Sequence, residues 1–289
     1  DFKVFSVPPP DEFDERKLVV GRDGDYTPAS QLGTFDGAAY SFAGDAVRHY
    51  RRLADGRQAV VFCVGIGIAE VTAKAFRKAG YSAACISSQM TPAEVSRVFN
   101  MFRAKAVQVI CHVDMLGEGV DVPAIEALIM LRKTASLANF RQWVGRALRP
   151  EPGKPHAVII DHVGNVLEHG MPDEHVDWSL ENPPLPKKSN LISCEECDFA
   201  FRAWLRHCPE CGCENAIWKH RGGVAQAEAV RYLDMDLVER MRIQVEMEWR
   251  EANEVIVSAT LGGRGAISAA AKRLAEWFAK AVAPEFGLA

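Results

Sequence analysis

Two constellations in this chain have the residue types and spacing to do chemistry. The first is Cys194-Glu-Glu-Cys197 followed, after ten intervening residues, by Cys208-Pro-Glu-Cys211. Each C-x2-C turn can aim two thiolates at one point, and two such turns complete a tetrahedral site. A structural Zn2+ on Cys194, Cys197, Cys208 and Cys211 is the expectation. Four thiolates leave no open coordination position, which argues against a catalytic zinc. Cys213 is a substitute for Cys211 at a less favourable spacing, and His207 reads as a bystander. Gly212 supplies the tight chain reversal behind the metal. Two disulfides are the alternative, but they belong to exported proteins, and nothing else in the sequence suggests export. Paired C-x2-C ligands are normally inert, so a zinc-thiolate redox enzyme is a remote reading.

The second constellation is Gln142-Trp-Val-Gly145-Arg146-Ala-Leu-Arg149-Pro150. Two arginines three residues apart on a helix share a face, so their guanidinium forks point one way. Such a pair suits the charge of a transferring phosphoryl group. Gly145 would let a neighbouring backbone come close. Upstream, Val109-Ile-Cys-His-Val-Asp114-Met-Leu-Gly117-Glu118-Gly119-Val120-Asp121-Val122-Pro123 runs from a buried strand into a glycine-punctuated acidic loop. In α/β sheets ligands bind at the carboxyl ends of strands, so both loops would share one edge.

Alternating strands and helices must position these groups. A strand is expected at Lys3–Val7, inside an otherwise loop-rich stretch over residues 1–42. A helix at Ala46–Leu53, a strand at Ala59–Val64 and a helix at Ala69–Ala79 closed by Gly80 follow. Next come a strand at Ser82–Ile86 and a helix opened by Thr91-Pro92-Ala93-Glu94, a capping box with proline in the first turn. That helix aligns Val95, Val98, Phe99 and Phe102. Strands at Val107–His112, Ile125–Leu131 and His156–Ile160, with a helix at Ser136–Leu148, complete the pattern of a parallel α/β sheet. The expected organisation is an α/β lobe over 1–182, a proline-rich linker over 183–190, a zinc domain over 191–220 and a helical tail over 221–289. Met241, Val245 and Trp249 in the tail read as a packing stripe.

The 289 residues are 48% hydrophobic and 25% charged, enough to bury a core. With a net charge of −4, any nucleic acid must be held by local basic patches rather than overall attraction. Phe199, Phe201 and Trp204 interleave with Arg202 and Arg206, which suits stacking on nucleic acid; packing against the lobe is the competing role. Three further cysteines, Cys63, Cys85 and Cys111, sit in apolar runs and read as small buried hydrophobes. No apolar run approaches the roughly 18 residues of a membrane span. The chain begins at Asp1 without a start methionine or signal pattern, the expectation being an excised or processed piece working in the cytoplasm.

The order of VVFCV (60–64), VDMLGEGVDVP (113–123) and QWVGRALRP (142–150) resembles motifs IV, V and VI of superfamily 2 helicases. The pattern is most like DEAD/DEAH-like enzymes of the RadD and type I/III restriction-translocase kind. The resemblance implies a RecA-like second motor lobe and an ATP-dependent DNA helicase or translocase, with RNA left open as substrate. It makes Arg149 the arginine finger and Arg146 a second γ-phosphate contact. Gln142 would lie near the nucleotide, and Gly119 with Asp121 would form the motif V contact to nucleotide and interdomain water. The phosphate-contacting threonine of motif V is replaced here by Cys111-His112, which become the candidate nucleic-acid contacts with Arg202 and Arg206. The helix start after Ser87-Ser88 also lacks the expected glycine. The sequence has no G-x-x-x-x-G-K-[ST] loop, and Pro172-Asp-Glu-His175 mimics a DExH box without a strand before it. ATP and Mg2+ would therefore be held by a first lobe outside this chain, as its partner, and this chain alone would hydrolyse almost nothing. A non-catalytic nucleic-acid- or partner-binding protein is the competing reading.

Overall fold

A computed structural model describes residues 1–11, 13–35, 38–113, 125–151, 153–174 and 189–217. The chain divides into two compact units, residues 1–219 and 220–289. The expected helical tail, with Met241, Val245 and Trp249, lies outside the described residues, as does most of the linker.

The first unit is built from β1 (Phe2–Ser6), a 3-10 turn (Glu15–Lys17), α1 (Pro28–Phe35), α2 (Ala39–Leu53), β2 (Ala59–Cys63) and α3 (Ile66–Lys78). It continues through β3 (Ala83–Ile86), α4 (Pro92–Arg103), β4 (Val109–His112), β5 (Ala127–Leu131), α5 (Leu137–Ala147), β6 (Ala157–Asp161) and α6 (Asn165–His169). A hairpin of β7 (Leu191–Ser193) and β8 (Ala200–Arg202) follows. The first six strands form one parallel sheet in the order β1-β6-β5-β2-β4-β3. This is a RecA-like α/β architecture.

The apolar runs of β2, β4, β5 and β6 are buried at every position, as expected of parallel strands covered on both faces. Side chains alternate between those faces. Val61, Cys63, Ile129 and Leu131 meet Phe42 and Tyr50 of α2 and Phe76 of α3 on one side. Val60, Phe62, Leu128 and Met130 meet Phe99 and Phe102 of α4 and Phe140 and Trp143 of α5 on the other. The Thr91 capping box forms as expected, with Thr91 Oγ1 accepting from Glu94 N and Glu94 accepting from Thr91 N at 2.8 Å.

The segment 1–42 departs from the loop-rich expectation. It contains α1, and α2 begins at Ala39 rather than Ala46. The cause is tertiary: Phe13, Phe35 and Phe42 make an aromatic cluster, with centroids 4.4–5.6 Å apart. That cluster gives both helices an apolar face to bury, which local propensity alone does not reveal.

The helix α3 leaves β2 over one face and packs on β3 and β4, whereas α5 leaves β5 over the other and packs on β6. β2 and β5 are neighbours. Their connections diverge, so a crevice opens at their carboxyl ends, where α/β sheets bind ligands.

Candidate functional site

The candidate residues come from strand ends and from α5. Ser136 caps α5 by accepting from Asn139 N at 3.3 Å. Phe140, Trp143, Val144 and Ala147 follow at helical spacing and bury, which turns Gln142 and Gly145 outward. Arg146 is 8% exposed while Arg149, just beyond the helix, is exposed. Burial first, and the Arg149 charge second, lower the Arg146 pKa from its usual value. The two charges therefore do feel one another, one buried and one exposed. The space beside Gly145 is open among the described residues, so the expected close approach of a backbone is not made within this unit.

A third guanidinium joins them. Arg132, at the end of β5, lies 5.4 Å over the Trp143 ring, and Trp143 lies 5.2 Å from Phe62 at the end of β2. Desolvation lowers the Arg132 pKa, opposed by the Asp25 charge. Arg132 and Arg146 both act on the buried His112, and Arg149 acts on Arg146, so the three guanidiniums gather in one region; such forks suit planar bidentate contact with phosphate oxygens.

Cys111 and His112 correct the sequence reading. They are 0% and 1% exposed. In register, Cys111 pairs with Val61 and Cys85, and His112 with Phe62 and Ile86. The strand therefore stays inside the sheet through His112, and neither side chain offers a surface to nucleic acid. Among the described residues, neither His112 ring nitrogen has a hydrogen-bond partner. The ring sits 4.2 Å from Phe62, and its pKa is pushed down to about 3 by burial and by Arg132 and Arg146. Gly119 and Asp121 lie outside the described residues.

Buried ionisable groups give the lobe a pH dependence of known sign. Burial holds His162 down to about 3, with help from the charges of His49 and Arg48. Burial raises Asp161 to about 6, although it accepts from Val163 N at 3.1 Å and Val166 N at 2.7 Å and feels Lys133. As pH falls below the histidine reference of about 6.5, the unfolded chain takes up protons at His112 and His162 that the folded chain refuses. Below about 6 the folded chain takes up one at Asp161 that the unfolded chain takes only near 3.9. From these three groups the balance is one proton favouring unfolding, and His49 and His156, both also lowered by burial, act in the same direction. Urea midpoints should show stability falling by at least about 1.4 kcal/mol per pH unit between about pH 6 and 4. His162→Phe should flatten that slope; an unchanged slope would contradict the assignment.

The cysteine module answers the metal expectation with geometry. The Sγ atoms of Cys194, Cys197, Cys208 and Cys211 all lie within 4.8 Å of one another. Cys194–Cys211 and Cys197–Cys208 are each 3.6 Å apart, close to the tetrahedron edge of about 3.8 Å that Zn–S bonds of about 2.3 Å require. Both C-x2-C turns are followed at once by a left-handed residue, Asp198 at φ 63° and Gly212 at φ 76°. The glycine was legible in the sequence; its counterpart Asp198 was not. Asp198 N donates to Cys194 O at 3.0 Å, as Gly212 N does to Cys208 O at 2.9 Å. The residues fit Zn2+ held by four thiolates. Cys213 Sγ lies 3.1 Å from Cys194 Sγ but falls outside the mutually close set.

The module also caps the sheet. Ser6 N on edge strand β1 donates to Asp198 O at 2.8 Å, and Phe199 packs edge-on against Phe5 at 5.6 Å. Ser193 Oγ donates to Ser6 O, Arg52 pairs with Asp198, and Lys3 pairs with Glu210 at 2.6 Å. The basic candidates are engaged within the unit. Arg202 pairs with Glu174 at 2.5 Å and lies over Trp204, and Arg206 pairs with Glu214 at 3.0 Å. Phe201 is 3% exposed, in the module's own core. Of the interleaved aromatics, Trp204 is the exposed one, at 49%.

Residues 44–151 match the model of the helicase conserved C-terminal domain. A 51.5 kDa protein of a Lactococcus phage is 29% identical over 253 residues, covering 85% of this chain and 53% of that protein. The putative mitochondrial ATP-dependent helicase irc3 of Schizosaccharomyces pombe is 30% identical over 145 residues, 45% of this chain and 24% of the relative. The chain thus spans about half the length of the first and a quarter of the second. Among solved structures, the C-terminal domain of the DEAD-box protein Dbp5 overlaps 43% of this chain and 72% of its own, with 18% identity and a TM-score of 0.38. No helix among the described residues is long and apolar enough to cross a membrane. The segment that carries Arg132, Arg146 and Arg149 thus lies within the residues that match the helicase conserved C-terminal domain.

Proposed function

We propose that this chain is the C-terminal part of an ATP-dependent DNA helicase or translocase, and that it supplies the arginine finger. The observation that carries the reading is Arg146 buried in α5 within reach of the exposed Arg149 charge, with Arg132 over Trp143 of the same helix. In this reading Arg149 reaches the γ-phosphate as the lobes close and Arg146 gives a second contact. The exposed Gln142 faces the nucleotide, and Gly119 and Asp121 complete the motif V contact. ATP and Mg2+ are held by a phosphate-loop lobe outside this sequence, and Gly145 leaves that lobe room to approach. The four thiolates of Cys194, Cys197, Cys208 and Cys211 hold a structural Zn2+, a set of ligands that would suit the cytoplasm. DNA is the substrate that the likeness to restriction-translocase ATPases implies. Part of the nucleic-acid track would run over the exposed Trp204, with Arg202 and Arg206 as steering charges that first give up their acidic partners.

The test is ATP hydrolysis by this chain alone and mixed with the ATP-binding lobe, with DNA, RNA or neither. Silence alone and DNA-stimulated turnover in the mixture is the expected result. Stimulation by RNA only would overturn the choice of substrate. Equal nucleic-acid binding with no turnover in any mixture would favour a non-catalytic binding protein.

A further inference from the structure

The arginine pair is only as well placed as α5, and α5 starts from a loop, 132–136, whose polar groups are buried. The clamp on that loop comes from far upstream. Asp25 sits in a turn closed by Gly21 N donating to Asp25 O at 2.7 Å and by the Val20–Tyr26 bridge. Its side chain is buried, at 6% exposure for the residue. Oδ1 accepts from Tyr26 N and Ala135 N, both at 2.8 Å. Oδ2 accepts from Thr134 Oγ1 and Asn139 Nδ2, both at 2.9 Å. Four donors fill the roughly four lone-pair sites of a carboxylate, each bond strengthened by the charge.

The opposite side of the loop is held as firmly. Asn165 Oδ1 accepts from Thr134 N at 3.0 Å, Asn165 Nδ2 donates to Arg132 O at 2.9 Å, and His169 Nε2 donates to Thr134 O at 2.7 Å. Every polar atom of Thr134 is thereby used. A buried carboxylate is a costly way to close a loop, and orientation is what it offers over apolar packing. Its negative charge also lies at the positive end of α5.

We propose that Asp25 is a positioning residue for the arginine pair, fixing the start of α5 and so the place of Arg146 and Arg149. The inference rests on the reading of Arg149 as the finger. From Asn139 to Arg149 the helix and its last turn span about 15 Å, so a tilt of about 4° moves the far end by about 1 Å. A displacement of that size at a reacting centre costs on the order of 10²-fold in rate.

The experiment compares Asp25→Asn, Arg149→Ala and the double variant Asp25→Asn/Asn139→Asp in the complete two-lobe protein. Nucleic-acid-stimulated ATP hydrolysis is measured well below each thermal midpoint. Asparagine at 25 keeps an oxygen for the two backbone donors but sets an amide against that of Asn139. The exchange to aspartate at 139 restores a donor–acceptor pair. Asp25→Asn should lower kcat by about 10²-fold with KM for ATP nearly unchanged, and the double variant should recover most of it. Full turnover in Asp25→Asn beside a dead Arg149→Ala would overturn the positioning role alone. Full turnover in Arg149→Ala would overturn the finger assignment and this inference with it. Should Asp25→Asn fail to fold, a double variant with the native thermal midpoint but no recovered kcat overturns the role as well.

Discussion

Arg149→Ala in the complete two-lobe protein is expected to lower nucleic-acid-stimulated ATP turnover by about 10³–10⁵-fold, the usual worth of an arginine finger. The structure says why the effect should fall on turnover. Arg149 is exposed just beyond α5 and lies outside the hydrophobic clusters, so its removal leaves the lobe's core and its thermal midpoint nearly untouched. Arg146 is different: it is 8% exposed and desolvated, so Arg146→Ala should cost stability together with rate. Lysine at 149 should rescue little, because a point charge does not reproduce the planar fork. Stopped-flow or steady-state ATPase assays beside thermal unfolding separate the two. Loss of less than about tenfold in Arg149→Ala, with the fold intact, would remove Arg149 from the role of finger.

Metal removal is the second large effect. Structural zinc binds finger peptides with apparent free energies of about 10–16 kcal/mol, and the small core around Cys194, Phe201 and Cys208 has little else to hold it. Chelation, or Cys194→Ser, should release one zinc per chain and open the module. Amide exchange reads the consequence at two neighbouring positions. Ser6 N donates to Asp198 O in the module, whereas Val7 N donates to Asp161 O in the sheet. Ser6 should lose protection on chelation while Val7 keeps it. Equal protection before and after would mean that the module does not depend on metal. Cys213→Ser should retain the zinc and Cys211→Ser should weaken it. The reverse result would move the fourth ligand to Cys213, whose sulfur lies 3.1 Å from that of Cys194.

An uncapped β1 would also present an open sheet edge, the arrangement natural sheets avoid. The cysteine module is thus tied to the edge of the six-stranded sheet through Ser6, Phe5 and Arg52, so the proposed zinc would act on that edge as well as on its own fold. That coupling rests on residues far apart in sequence.

The sequence by itself determined the features whose physics is local. Buried strands show as unbroken apolar runs, and α4 announces its start because Thr91, Pro92 and Glu94 satisfy the helix end among themselves. The spacing of the two arginines is legible in the sequence, but the helix ends at Ala147, so Arg146 is buried in α5 while Arg149 stands exposed just beyond it. The thiolate set is legible because each C-x2-C turn prearranges two ligands. Tertiary structure decided the rest. The likeness to motif V suggested that Cys111 and His112 face a ligand, but pairing to β2 on one side and β3 on the other takes both into the interior. Arg202 and Arg206 read as free cations until Glu174 and Glu214 are placed beside them. Helix α1 was missed because its stabilising partners, Phe13 and Phe42, lie on other segments. Asp25 gave no signal at all: a single aspartate in a turn is commonplace, and three of its four partners stand more than a hundred residues away. Short-range geometry is written in neighbouring residues, whereas the solvation of a charge depends on everything the fold packs around it, and only the folded chain specifies that.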